Sequence, residues 1–222
     1  MRACHETIYQ ALYHPGRTGL HRDLAKRLRS GRPRRKRRRR ADQRTSRFGA
    51  PMTMITKRPA EVAGRLVAGH WEGDLLMGRA NRSAIGTLVE RTSRSVALVH
   101  LPAGHAGKQM KDALVGTIAA FPAQLARSLT WDQGSEMGCH HELTEATGIP
   151  VYFCDPASPW QRGSNENMNG LLRQYFPKGT DLSVYGPGHL QAVADEVNSR
   201  PRKVLGWQSP ADCLERLVSS VT

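Results

Sequence analysis

Ser158-Pro159-Trp160-Gln161-Arg162-Gly163-Ser164-Asn165-Glu166-Asn167-Met168-Asn169-Gly170-Leu171-Leu172-Arg173-Gln174-Tyr175-Phe176-Pro177-Lys178-Gly179 is the stretch around which the rest of the chain is organised. Pro159 and Gly163 break what precedes it, Ser164 is a suitable N-cap, and Pro177 with Gly179 closes it. Between these signals Met168, Leu171, Leu172 and Tyr175 recur at helical spacing and form an apolar stripe that predicts a core-facing helix. Glu166, Asn169 and Arg173 share another face, and Arg162 stands just outside the helix start. Glu166 lies in the first turn, where the helix dipole favours a charged carboxylate. A carboxylate kept ionised beside an arginine suits a metal site next to nucleic acid. Taken alone, the helix reads more readily as a capped amphipathic segment with a surface Glu.

Two upstream aspartates shift that balance. Asp74 falls midway along the predicted strand His70 to Met77, and Asp132 ends the strand beginning at Ser128, just before Gln133-Gly134-Ser135. Strands are poor in Asp, and a carboxylate at the carboxyl end of a central strand points into the crevice where open sheets bind ligands. If these two strands are neighbours, Asp74 and Asp132 converge and the first turn of the helix brings Glu166 alongside. Three crowded carboxylates repel unless cations neutralise them, so the constellation predicts two Mg²⁺ ions, or Mn²⁺, on oxygen ligands. Glu72, which shares a strand face with Asp74, is the best reserve ligand; Glu72, Gln133 and Asp155 are placed around the site as supporting residues.

The element order places these acids in a fold. Strands are expected over His70–Gly78, Ser83–Glu90 and Ser95–Leu101, and their short turns suggest an antiparallel meander. A helix over Lys108–Phe121, a strand over Ser128–Asp132, a short helix over His141–Thr147 and a strand over Val151–Cys154 follow. The organising helix and two more, His189–Ser199 and Pro210–Val218, complete the chain. That is an α/β class with a mixed five-stranded sheet.

Charge is unevenly distributed. The net charge is +14, but residues 1–58 hold 18 Lys and Arg against three acids, while residues 59–222 are near neutral. From Lys26 to Arg47 there are 13 basic residues and one acid, including Arg34, Arg35, Lys36, Arg37, Arg38, Arg39 and Arg40. Such a run reads as a phosphate-binding arm that gains affinity by counterion release. The expected division is 1–30 as a helical remnant, 31–57 as a basic arm, and 58–218 as the catalytic core, with Pro51 to Ala68 as a linker into it. Four dispersed cysteines, Cys4, Cys139, Cys154 and Cys213, without a CxxC pair argue for a reduced, cytosolic setting and against a structural zinc site. No apolar run approaches membrane-spanning length.

Gly69-His70-Trp71-Glu72-Gly73-Asp74, Ser83 through Arg91, Leu129-Thr130-Trp131-Asp132-Gln133-Gly134 and Val151 through Gly179 resemble the catalytic region of transposases of the insertion sequence thirty family. The resemblance spans about 58 to 217. It implies an RNase H-like, retroviral-integrase-like fold and catalytic, metal-holding roles for Asp74, Asp132 and Glu166, whose 33 intervening residues between the last two match the family's acidic triad. It also places Arg173 where related enzymes carry a basic residue touching the terminal nucleotides, with Lys178 beside it, and Arg162 and Asn169 among the DNA-binding residues. The implied activity is metal-dependent strand cleavage and strand transfer on element ends and target DNA, performed by a homo-oligomer in a bacterial cytoplasm, associated with the nucleoid. Family members carry a helix-turn-helix before the core, and Cys4 to Tyr13 resembles only its final helix, so the chain reads as N-terminally shortened. A purely hydrolytic RNase H-type nuclease and an inactive DNA-binding relic are the alternatives.

Overall fold

In the computed structural model the described residues are 48–219. The helical remnant expected over 1–30 and the basic arm lie outside them, apart from the arm's last stretch. Strands are β1 (Thr53–Met54), β2 (His70–Met77), β3 (Ala84–Glu90), β4 (Val96–Val99), β5 (Ser128–Trp131) and β6 (Val151–Phe153). Helices are α1 (Glu61–Gly64), α2 (Gly107–Ala119), α3 (His140–Thr147), α4 (Gly163–Leu172), α5 (Pro187–Ser199) and α6 (Pro210–Ser219). The sheet runs β1-β6-β5-β2-β3-β4. The three strands β2, β3 and β4 form the expected antiparallel meander. Strand β5 lies parallel to β2, β6 parallel to β5, and β1 parallel to β6.

Two apolar layers hold this sheet. On one face Trp71, Leu129, Trp131, Val151 and Phe153 meet Met110, Leu114 and Ile118 of α2 and Leu143 of α3. On the other, Leu76, Ile85, Val89 and Val96 meet Met168 and Leu172 of α4 and Leu190, Val193 and Val197 of α5. Alternation along each strand divides the side chains, because successive Cβ atoms point to opposite faces. Thus Trp71 and Gly73 face α2 and α3, while Glu72 and Asp74 face α4.

Gly73 is a close approach. The six-membered ring of Trp131 lies across it, and a Cβ there would sit 1.9 Å from that ring. Trp131 is fully buried, so it has no room to retreat. Gly73→Ala should therefore cost about 1–3 kcal/mol or more, read as a lowered midpoint in urea unfolding; an unchanged midpoint would show that the indole can move.

Three expectations need correction. The segment read as a linker from Pro51 to Ala68 is built into the fold: Thr53 and Met54 pair with Tyr152 and Phe153, adding a sixth strand to the expected five. Phe48 anchors its start, with its ring 5.3 Å from Phe153 and 5.6 Å from His140. The organising helix stops at Leu172, five residues before Pro177, and the chain turns through Gln174 and Tyr175 to seat the buried Phe176. Lastly, Ser164 is not the N-cap: Arg162 occupies that position, and Ser164 lies within the first turn with its hydroxyl accepting from Arg94 at 2.7 Å.

Candidate functional site

The register of the two central strands creates the site. Glu72 pairs with Thr130 across the parallel β2–β5 ladder. Two residues further on, Asp74 and the residue just past β5, Asp132, come level on the α4 face. Strands one and four of the sequence reading are neighbours, as that reading required.

One guanidinium joins the two aspartates. Arg162 Nη1 is 3.3 Å from Asp74 Oδ1, and Arg162 Nη2 is 3.0 Å from Asp132 Oδ2. Nη1 also donates to the Gly73 carbonyl at 2.8 Å. Each carboxylate is oriented by its own backbone turn: the Leu75 amide donates to Asp74 Oδ1 at 2.9 Å, and the Gly134 amide to Asp132 Oδ1 at 3.0 Å. Asn169 donates to Asp74 Oδ2 at 3.0 Å. Burial pushes the Asp74 carboxyl above its ordinary range, with Arg162 and the Leu75 amide opposing and Asp132 reinforcing. Burial alone would lower the Arg162 guanidinium, but Asp74 and Asp132 outweigh it and raise it.

Helix α4 is held over the pair by a buried polar lock. Glu72 is fully buried, and its Oε2 accepts from the backbone amides of Ser164 and Asn165 at 3.0 and 3.1 Å. These are first-turn amides with no partner inside the helix, and a carboxylate there also complements the dipole. The other oxygen of Glu72 pairs with Arg91, itself buried and bonded to the Val62 carbonyl. Asn165 bridges two strands, its Nδ2 donating to the Glu72 carbonyl at 2.7 Å and the Thr87 carbonyl at 3.3 Å. The Thr87 hydroxyl lies within hydrogen-bonding distance of the side-chain oxygens of Asn165 and Asn169. Sequence reasoning missed Thr87, Arg91 and Asn165. Asparagine is a poor helix former, so Asn165 and Asn169, four residues apart inside a helix, were a usable signal.

The remaining expected residues separate clearly. Glu166 is exposed on α4, one turn before Asn169, which touches Asp74. Among the described residues no group of three His, Cys, Asp or Glu side chains is gathered for a metal ion. The structure joins Asp74 to Asp132 and leaves Glu166 outside that pair. Arg173 donates to the Met77 and Phe176 carbonyls at 3.2 and 3.3 Å, and Lys178 is exposed. Gln133 donates to the Cys154 carbonyl, and Asp155 exchanges two hydrogen bonds with the Gln161 side chain, shaping the loop before Arg162. Arg34 to Arg40 lie outside the described residues.

The pair fits a hard divalent cation. Both donors are carboxylates, both are oriented by backbone amides, and a single cationic group already spans them. Oxygen ligands of this kind suit magnesium or manganese. Cys154 follows β6 close by, but burial pushes its thiol up to about 11, which leaves it a poor thiolate ligand.

With this geometry in view, residues 65–159 match the family model described as an integrase core domain. The chain is 50% identical over 222 residues to the transposase for insertion sequence element IS1086 of Cupriavidus metallidurans, covering all of this chain and 65% of that protein. It is 44% identical over 221 residues to transposase InsI for insertion sequence element IS30A of Escherichia coli K12, covering 99% of this chain and 57% of that protein. The chain thus spans less than two thirds of the length of these relatives. A solved chain from the simian T-cell lymphotropic virus intasome, in complex with PP2A regulatory subunit B56 gamma, superposes with a TM-score of 0.53 at 18% identity, covering 67% of this chain and 55% of that one. That likeness carries the fold, and the RNase H-like mixed sheet flanked by helices is the fold observed. No helix among the described residues is long and apolar enough to cross a membrane.

Proposed function

Because the chain belongs to the insertion sequence thirty family of transposases and carries their integrase core, we propose that it is a metal-dependent polynucleotidyl transferase. In this reading it cuts DNA at the ends of an insertion sequence and joins the freed 3′ ends to target DNA. The observation that carries it is the convergence of Asp74 and Asp132 from neighbouring parallel strands on a single cationic group. In this reading the two aspartates hold divalent ions, magnesium or manganese, and Glu166 completes the ligand set from its position one turn before Asn169. Bound there, such ions supply Lewis-acid activation of the attacking oxygen and stabilise charge on the leaving one.

The chain's own residues do the rest. Asn169 fixes one oxygen of Asp74, so the carboxylate cannot rotate away. The lock from Glu72 to the first amides of α4 sets the height of Glu166 above the sheet. Arg162, Arg173 and Lys178 are basic groups on or beside α4, suited to phosphates along a bound strand. The basic arm from Arg34 to Arg40 adds affinity that does not depend on sequence. An assembly of several copies follows from the need to act on two element ends.

The test uses the full chain, a duplex carrying the element end, and Mg²⁺ or Mn²⁺. Nicking and joining of a pre-cut end are both expected, and Glu166→Gln should reduce both by at least about 100-fold, in the range seen when one transition-state contact is lost. Nicking without joining would favour a purely hydrolytic nuclease. Replacing Arg34 to Arg40 by Gln should flatten the slope of log affinity against log salt by several units, roughly 0.9 for each phosphate contact removed; an unchanged slope would remove the arm from the interface.

A further inference from the structure

Capturing a phosphate does not account for where Arg162 sits. Its side chain is 13% exposed and turned inward, between the two aspartates. The oxygens of those aspartates are divided in a consistent way. Asp132 Oδ1 is taken by the Gly134 amide and Asp74 Oδ2 by Asn169, while Asp132 Oδ2 and Asp74 Oδ1, the latter also accepting from the Leu75 amide, both face the guanidinium. The Gly73 carbonyl, on the strand that carries Asp74, accepts from the same guanidinium at 2.8 Å.

We propose that Arg162 is an internal counterion of the Asp74–Asp132 pair, with which a divalent cation would compete for the two carboxylates. The proposal rests on the reading of these aspartates as metal ligands. Two carboxylates this close repel one another, and the guanidinium holds them in register before any ion arrives. It also weakens ion binding, since an incoming cation must displace a charge-assisted contact to each aspartate and meets a like charge. Displacement would free a planar group with paired donors, a shape matched to a phosphate. Ion entry and strand capture are thereby linked through one side chain.

The experiment titrates Mn²⁺ into the full chain without DNA and reads free Mn²⁺ by electron paramagnetic resonance. Arg162→Gln should bind Mn²⁺ at least about tenfold more tightly than the parent, because a cation within a few ångströms of the ion has been removed. Arg162→Lys keeps the charge on an ammonium that cannot span both aspartates, and it should fall between the two. If Arg162→Gln does not fold, the Lys variant decides by the same comparison with the parent. Equal or weaker Mn²⁺ binding in a folded variant overturns the counterion role. Asp132→Asn, titrated alone and combined with Arg162→Gln, separates the two ideas. If it fails to weaken Mn²⁺ binding, the reading of the aspartates as ligands is what has failed.

Discussion

Asp132→Asn should lower Mg²⁺-dependent cleavage of an element-end duplex by at least about 10³-fold, on the order of 4 kcal/mol of transition-state stabilisation. The substitution is nearly isosteric. Its side-chain oxygen can still accept from the Gly134 amide, so the turn after β5 should persist. What changes is charge, since a neutral amide can neither pair with the Arg162 guanidinium nor neutralise a divalent ion. DNA binding measured by gel shift in EDTA should stay within about threefold, because phosphate affinity is carried by basic residues elsewhere. Cleavage persisting in this variant would remove Asp132 from the chemistry. Loss of DNA binding alongside cleavage would show that the substitution acts through the fold.

Glu72→Gln should have the largest effect on stability, by a different route. Glu72 is fully excluded from solvent, and Arg91, its partner, is 5% exposed. Removing one member of such a pair leaves the other charged and uncompensated, at a cost of about 3–5 kcal/mol. The side-chain oxygen of glutamine can still accept from both α4 amides, but its NH2 group then faces Arg91 as a donor against a donor. For a domain of this size the melting temperature should fall by roughly 6–20 °C, followed by circular dichroism. The same change at Glu136, which accepts a single bond from the Trp131 indole, is the control and should shift melting far less. A fall of less than about 2 °C at Glu72 would mean that the lock contributes little.

These two substitutions also mark what the sequence made legible. The meander and the α/β order followed from period-two patterning and turn residues, because alternation assigns a face to every side chain without knowledge of the partner strand. The adjacency of the Asp74 and Asp132 strands was only a condition of the reading, and the β2–β5 ladder meets it. Asp74 was conspicuous because carboxylates are scarce in strands. The lock was harder to see. A buried glutamate that caps a helix 92 residues away leaves no local trace, and Ser164 offered a nearer cap of the expected type. The pairing of Asp74 with Thr87 across the β2–β3 hairpin could have been counted outward from the turn at Gly78, which would have put Thr87 beside the site. The strand Thr53–Met54 is two residues long and pairs with a distant segment, too short for any periodicity to show. The early end of α4 reflects tertiary packing: Phe176 is pulled into the core beside Leu182, and the backbone leaves the helix to deliver it.

The parallel ladder between β2 and β5 has a consequence for how the site tolerates change. The level of Asp74 against Asp132 is set by the main-chain register that pairs Glu72 with Thr130, with Gly73 and Trp131 packed together between them. Substitutions that spare the Gly73–Trp131 contact and the Glu72 lock keep the carboxylates abreast, provided the number of residues is unchanged. One extra residue between Thr130 and Asp132 would swing the second carboxylate to the side occupied by Trp131, among the tryptophan and leucine side chains. Substitution scans of these strands should find tolerance only away from Glu72, Gly73, Asp74 and Trp131, and insertions there should find none.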